Sequence, residues 1–158
     1  MVLKGYFVVG VLGVTLFVLQ EQFSIKWSPL EFLQSSDTYK KASGAALVFF
    51  LAFQWYFALL RSESRYQDAW RHLNRHKFVG AIGAPLLFYL HATEFGYAYL
   101  NYLTSVYFSL IVVGLFNEET LGIKRLTFLT IWTFIHITLA VLLVGMIGFH
   151  VYIAFIYE

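Results

Sequence analysis

Five histidines are the side chains most able to do chemistry in this sequence, and four of them form two matched pairs. His76 and His91 close the two ends of HKFVGAIGAPLLFYLH, 15 residues apart, and His136 and His150 close HITLAVLLVGMIGFH, 14 apart. At 1.5 Å per residue these separations are about 22 and 21 Å on an α-helix, and both are close to four turns, so each pair shares one helix face. An ionisable residue inside an apolar segment is costly and usually functional. A single such histidine is often just bonded to a neighbouring carbonyl. Two pairs at matched spacing call for a common explanation.

If the two helices run in the same direction and face each other, His76 comes opposite His136 and His91 opposite His150. That is the geometry for two stacked cofactors, each held between two imidazoles. Haem iron takes axial histidines, whereas zinc normally takes three or four protein ligands. Two b-type haems are therefore expected, with His76, His91, His136 and His150 as iron ligands. With imidazole on both sides of each iron, such a centre passes electrons rather than binding oxygen at the metal. The glycines between the pairs, Gly80 with Gly83 and Gly145 with Gly148, would admit a flat ligand or a neighbouring helix. Pro85 is expected to kink its helix.

The elements that must position these histidines are membrane helices. The chain of 158 residues is 59% hydrophobic and 13% charged, against about 25% charge in ordinary soluble proteins. Charge-free runs cover residues 5–20, 42–60, 78–93, 95–117 and 126–157. A spanning helix needs about 20 apolar residues, and unbroken runs without alternation exclude a membrane barrel. The sequence therefore predicts an all-α integral membrane protein: one domain over 1–158, a five-helix transmembrane bundle with spans at about 3–20, 42–60, 77–94, 96–117 and 127–156. The first run has no strongly basic start and no small-residue cleavage site, so it is expected to be a retained helix and not a signal peptide. The absence of cysteine excludes disulfides, covalently attached haem and cysteine-ligated clusters.

Five spans put alternate connections on opposite sides. Lys4, Arg61, Arg65, Arg71, Arg75, Lys77, Lys124 and Arg125 fall on one side, and Lys26, Lys40 and Lys41 on the other. The more basic side is expected to be cytoplasmic, with the N-terminus inside and the C-terminus outside. In the outer segment after the first span, Ser28 or Ser35/Ser36 are candidate caps for a short interfacial helix. The inner segment RSESRYQDAWRHLNRHK lacks Pro and Gly and is expected to continue a flanking helix. Glu118-Glu119 read as a solvated pair or, with Thr120, as a cap of the fifth helix. Glu94, beside His91, either bonds that imidazole or faces water. His72 and His76, one turn apart, also suit a metal, but the multi-histidine boxes of membrane di-iron enzymes are missing. Nothing points to a nucleic-acid partner.

The stretch LNRHKFVGAIGAPLLFYLH resembles the third helix of the ferric reductase-like transmembrane domain, a di-haem cytochrome b-type family. There a basic residue and a histidine open the helix, a glycine follows, and a second histidine comes about four turns on; Arg75, His76, Gly80 and His91 match in turn. WTFIHITLAVLLVGMIGFH looks like the family's fifth helix through Trp132, His136 and His150. The likeness covers about positions 61–157, and the histidine spacing is its specific part. It implies Arg75 and Gly80 as further haem-binding residues, with Arg71 and Lys77 as propionate or partner contacts. It also implies transmembrane electron transfer, as the electron-transfer component of an oxidoreductase at most. Family members usually carry a sixth span, and many continue into flavin and nicotinamide domains. This sequence stops at Glu158, so a separate donor (a flavoprotein or quinol) and an acceptor protein are expected, as parts of a larger complex. The alternative is an anchoring subunit of a membrane complex in which haem is secondary or absent.

One tension comes with the pairing. His76 touches the basic boundary at Lys77, whereas His136 lies 11 residues, about 16 Å of helix, beyond Arg125. Either the fifth span overhangs or tilts, or Arg75 and Lys77 lie deeper.

Overall fold

The computed structural model describes residues 5–156, apart from the side chain of Phe57, and these are helical with no strand among them. The helices in chain order are α1 (Gly5–Gln22), α2 (Ser28–Gln34), α3 (Asp37–Ser62), α4 (Tyr66–His91), α5 (Tyr99–Leu115), α6 (Glu118–Leu121) and α7 (Leu126–Ile156). Three of them, α1, α3 and α7, are long and apolar enough to cross a membrane, and α5 is a shorter apolar helix of 17 residues. Length does not exclude α4, whose 26 residues begin with a charged stretch, YQDAWRHLNRHK. The helical membrane class stands on these elements. Leu3 and Lys4, which open the first expected span, and both chain termini lie outside the described residues.

Residues 5–94 form one compact unit and residues 95–156 another. In the first, α4 is the central helix, and the contacts along it give the directions of its neighbours. Gly13 lies against Pro85, where a Cβ would stand 3.0 Å from the ring. One turn on, Phe17 meets Phe88 edge-on at 5.2 Å, and then Gln20 Nε2 donates to the Thr93 carbonyl. The numbers rise together, so α1 and α4 are parallel. Against α3 the order reverses: Gly44 with His91, Phe50 with Gly83, Gln54 with Gly80. This up-down alternation is the one expected of successive spans, and it gathers Arg61, Arg65, Arg71 and Arg75 at the α3–α4 end.

The inner segment does continue its flanking helices, α3 as far as Ser62 and α4 from Tyr66 onward. The interruption is at Glu63–Arg65, where Ser64 takes a left-handed conformation at φ 58°. No Gly or Pro marks the place. Asp68 accepts two bonds from the Arg65 guanidinium, at 2.9 and 3.1 Å, and this pairing holds the guanidinium above its ordinary pKa. The outer segment does carry a short helix, α2, with Ser35 at its C-cap and no serine at its N-cap. Trp27 occupies the N-cap with no side-chain bond, and Pro29 sits in the first turn, where its missing N–H costs nothing. Ser35 Oγ donates back to the Phe32 carbonyl.

Helix α4 ends in carbonyls that have no partner within the helix. The outer segment supplies several donors. Gln34 Nε2 donates to the Tyr89 and Leu90 carbonyls at 3.0 and 3.1 Å, and Tyr39 Oη donates to Leu90 at 3.0 Å. Thr93 Oγ1 donates to Gln34 Oε1. Glu94 faces water, as expected, and pairs there with Lys26 at 2.9 Å. Glu94 and then Glu31 hold the Lys26 ammonium above its ordinary pKa. These exposed pairs add little stability of their own.

In the second unit α5 and α7 are antiparallel. Tyr99, at the start of α5, donates to the Met146 carbonyl and packs edge-on against Phe149. At the other end Trp132 Nε1 donates to the Val113 carbonyl at 2.8 Å. Between them, Asn117 is 2% exposed and caps α6, accepting from the N–H groups of Glu119 and Thr120 while donating to the Gly114 carbonyl. Glu118 and Glu119 are therefore the first turn of α6. They are not a cap of α7.

Candidate functional site

Each unit carries its histidines on its longest polar-marked or apolar helix, and each helix sets them at two levels. On α7, His136 lies beside Gly114, the penultimate residue of α5, and a Cβ there would stand 3.3 Å from His136 Cε1. Its ring stacks on Trp132 one turn earlier, with centroids 5.2 Å apart and planes 9° from parallel. His150 follows Phe149, which packs on Tyr99 at the opposite end of α5. The two histidines thus bracket α5, a helix about 25 Å long. Within this unit the ten residues 126–135 of α7 precede His136, which sits level with the end of α5.

On α4, His91 is the last helical residue. Its ring rests on Gly44, where a Cβ would stand 3.3 Å from Cε1, and its Nδ1 lies 3.0 Å from Ser43 Oγ. Ser43 also donates to the Tyr39 carbonyl at 2.8 Å, with the Lys40 carbonyl at 3.2 Å. A hydroxyl has one hydrogen. With that hydrogen on a carbonyl of the preceding turn, Ser43 can only accept from His91. The imidazole is then the Nδ1–H form, and Nε2 carries the lone pair. A histidine that ligates a metal through Nε2 needs this tautomer, fixed by an oxygen on its other nitrogen.

His76 is half-buried about three turns inside the charged start of α4, between exposed Arg75 and half-buried Lys77. Gly80, one turn on, faces the Gln54 amide of α3, where a Cβ would stand 3.5 Å from Oε1. Both ends of that amide are buried without a hydrogen-bond partner among the described residues. His72 is buried, its ring edge-on to Phe53 and Tyr56. No group of three or more His, Cys, Asp or Glu that would hold a bare metal ion occurs among the described residues.

The glycines divide by use. Gly83 receives the Phe50 ring and is therefore a helix-packing position, while a Cβ at Gly145 or Gly148 would meet nothing within 4 Å. The donor set suits haem in its chemistry: within each unit, one helix carries two imidazoles about four turns apart. Ser43, Gly44 and Gly114, which seat His91 and His136, were not evident from the sequence. The only signal was small size: Gly114 interrupts a bulky run, and Ser43-Gly44 lie in the small-residue stretch ASGAA.

Compared with models of known families, with curated proteins and with solved structures, the chain finds no match.

Proposed function

We propose that this chain is a five-span membrane cytochrome that carries two b-type haems and passes electrons from one side of the bilayer to the other. The observation that carries the reading is the placement of His136 and His150 at the two ends of α5, about 21 Å apart along α7, repeated in sequence by His76 and His91 on α4. These four histidines would hold the two haems, which would supply one-electron redox chemistry at each level. The protein's part is to hold imidazoles at two depths, and to keep their rings in place by Trp132 stacking, Ser43 bonding and glycine contacts.

Helix α4 crosses as the third span, with its charged first turns in the cytoplasmic headgroup region, and α5 crosses as the fourth. The basic residues at the α3–α4 end support a cytoplasmic position for that end. Arg75, with Arg71 and Lys77, meets the haem propionates or an acidic donor protein there. Donors of the class of a reduced flavoprotein or a quinol, and a separate acceptor, complete the path.

Vesicles test this directly. The haem-loaded protein is reconstituted into liposomes enclosing ferricyanide, and dithionite is added outside. The enclosed ferricyanide is expected to bleach far faster than in protein-free vesicles, and His91→Ala is expected to abolish the gain. Equal rates with and without protein would refute transmembrane transfer.

A further inference from the structure

Every span of this chain is apolar enough that a polar contact at its ends stands out, and the most specific of them joins Ser43 to His91. We infer that Ser43 is a positioning residue for the outer haem, fixing His91 as the Nδ1–H tautomer so that the Nε2 lone pair is the one presented to iron. The inference rests on the haem reading for its consequence, while the hydrogen bond itself does not depend on it.

Three features support the assignment. Ser43 sits within the second turn of α3 and returns its hydroxyl hydrogen to the Tyr39 carbonyl, as serines in helices do. This donation polarises the oxygen as an acceptor toward Nδ1. Gly44 follows directly and lets the imidazole lie on the helix backbone, so the pair Ser43-Gly44 forms one seat: the first residue sets the proton, the second sets the approach. The chain carrying the ring is itself anchored, because Gln34 and Tyr39 bind the carbonyls of Tyr89 and Leu90 just before His91. A turn of helix held at the carbonyls and an imidazole held at Nδ1 leave the ring little freedom to rotate.

An imidazole that donates to a polarised oxygen is a more basic ligand. A more basic ligand favours the ferric state, so Ser43 holds the outer haem at a lower potential than an unsupported histidine would give. Removing the hydroxyl should raise that potential and leave the inner haem unmoved.

The test uses the full chain as purified, in wild-type, Ser43→Ala and Ser43→Thr forms. Redox titration reads both haem potentials, and nitrogen NMR of histidine-labelled, dithionite-reduced protein reads the His91 tautomer. Ser43→Ala is expected to shift one of two potentials upward and to perturb the Nδ1–H signal of His91. Ser43→Thr, which keeps a hydroxyl able to bond back along the helix, is expected to restore both. Haem-loaded Ser43→Ala protein with neither potential nor tautomer changed would overturn the inference. A colourless wild-type protein in which Ser43→Ala still changes the tautomer would overturn the ligand role and the haem reading with it, leaving only a structural hydrogen bond.

Discussion

Replacing His136 or His150 by alanine is expected to remove one haem of two and leave the other in place. The two residues stand at opposite ends of α5, with about 21 Å of α7 between them, so neither substitution reaches the other's surroundings. At His136 the loss also strips the ring that stacks on Trp132 and lies against Gly114. The Trp132 indole keeps its own bond to the Val113 carbonyl, which holds α5 to α7 at that level without the imidazole. The helix pair should therefore survive, and haem content per chain should halve in each variant and fall to nothing in the double variant. Extracted haem counted against protein measures it. Full haem content in both single variants would show that the ligands have been wrongly assigned.

The second large effect belongs to Gly83. A Cβ built there would stand 2.8 Å from Phe50 Cε2 and 3.4 Å from Cζ, closer than carbon atoms pack, so the half-buried ring must shift to admit it. Gly83→Ala should destabilise the fold by about 1–3 kcal/mol, the usual range for overpacking. Gly145→Ala, with nothing in reach, should leave folding stability unchanged. Denaturation of the detergent-solubilised variants compares them. Adding Phe50→Leu to Gly83→Ala should recover part of the loss, because the two positions share one contact and so are not additive. Equal stability of Gly83→Ala and wild type would mean that α3 and α4 are not packed at this register.

Much of this architecture is legible in the residues. The charge-free runs lie largely within helices, three of them long and apolar enough to cross a membrane, as expected where a backbone must satisfy itself without water. The stretch of α7 ahead of His136 was legible as well, in the 11-residue separation of His136 from Arg125. The interruption at Ser64 was not, since a serine in a left-handed conformation carries no mark in the sequence that distinguishes it from a helical one. The same holds for Asn117. It looks like loop filler beside two glutamates, and only the fold shows it bonded to the start of α6 and the end of α5.

The candidate site divides the same way. The histidine spacing is a property of a single helix and can be read along the chain. The seats of those histidines are properties of two helices in register, and Ser43, Gly44 and Gly114 acquire their meaning only when α3 lies along α4 and α5 along α7. Gly80 and Gly83 show the difference plainly. They look equivalent in sequence, yet one faces the Gln54 amide and the other a phenylalanine ring.

The central claim is that this chain holds two b-type haems, and the most direct measurement is a reduced-minus-oxidised visible spectrum of the detergent-purified protein, with haem extracted and counted per chain. The account predicts the bands of a bis-histidine b-type cytochrome at two haems per chain. A colourless protein, expressed with haem in supply, would contradict it and leave the four histidines as structural residues of a membrane anchor.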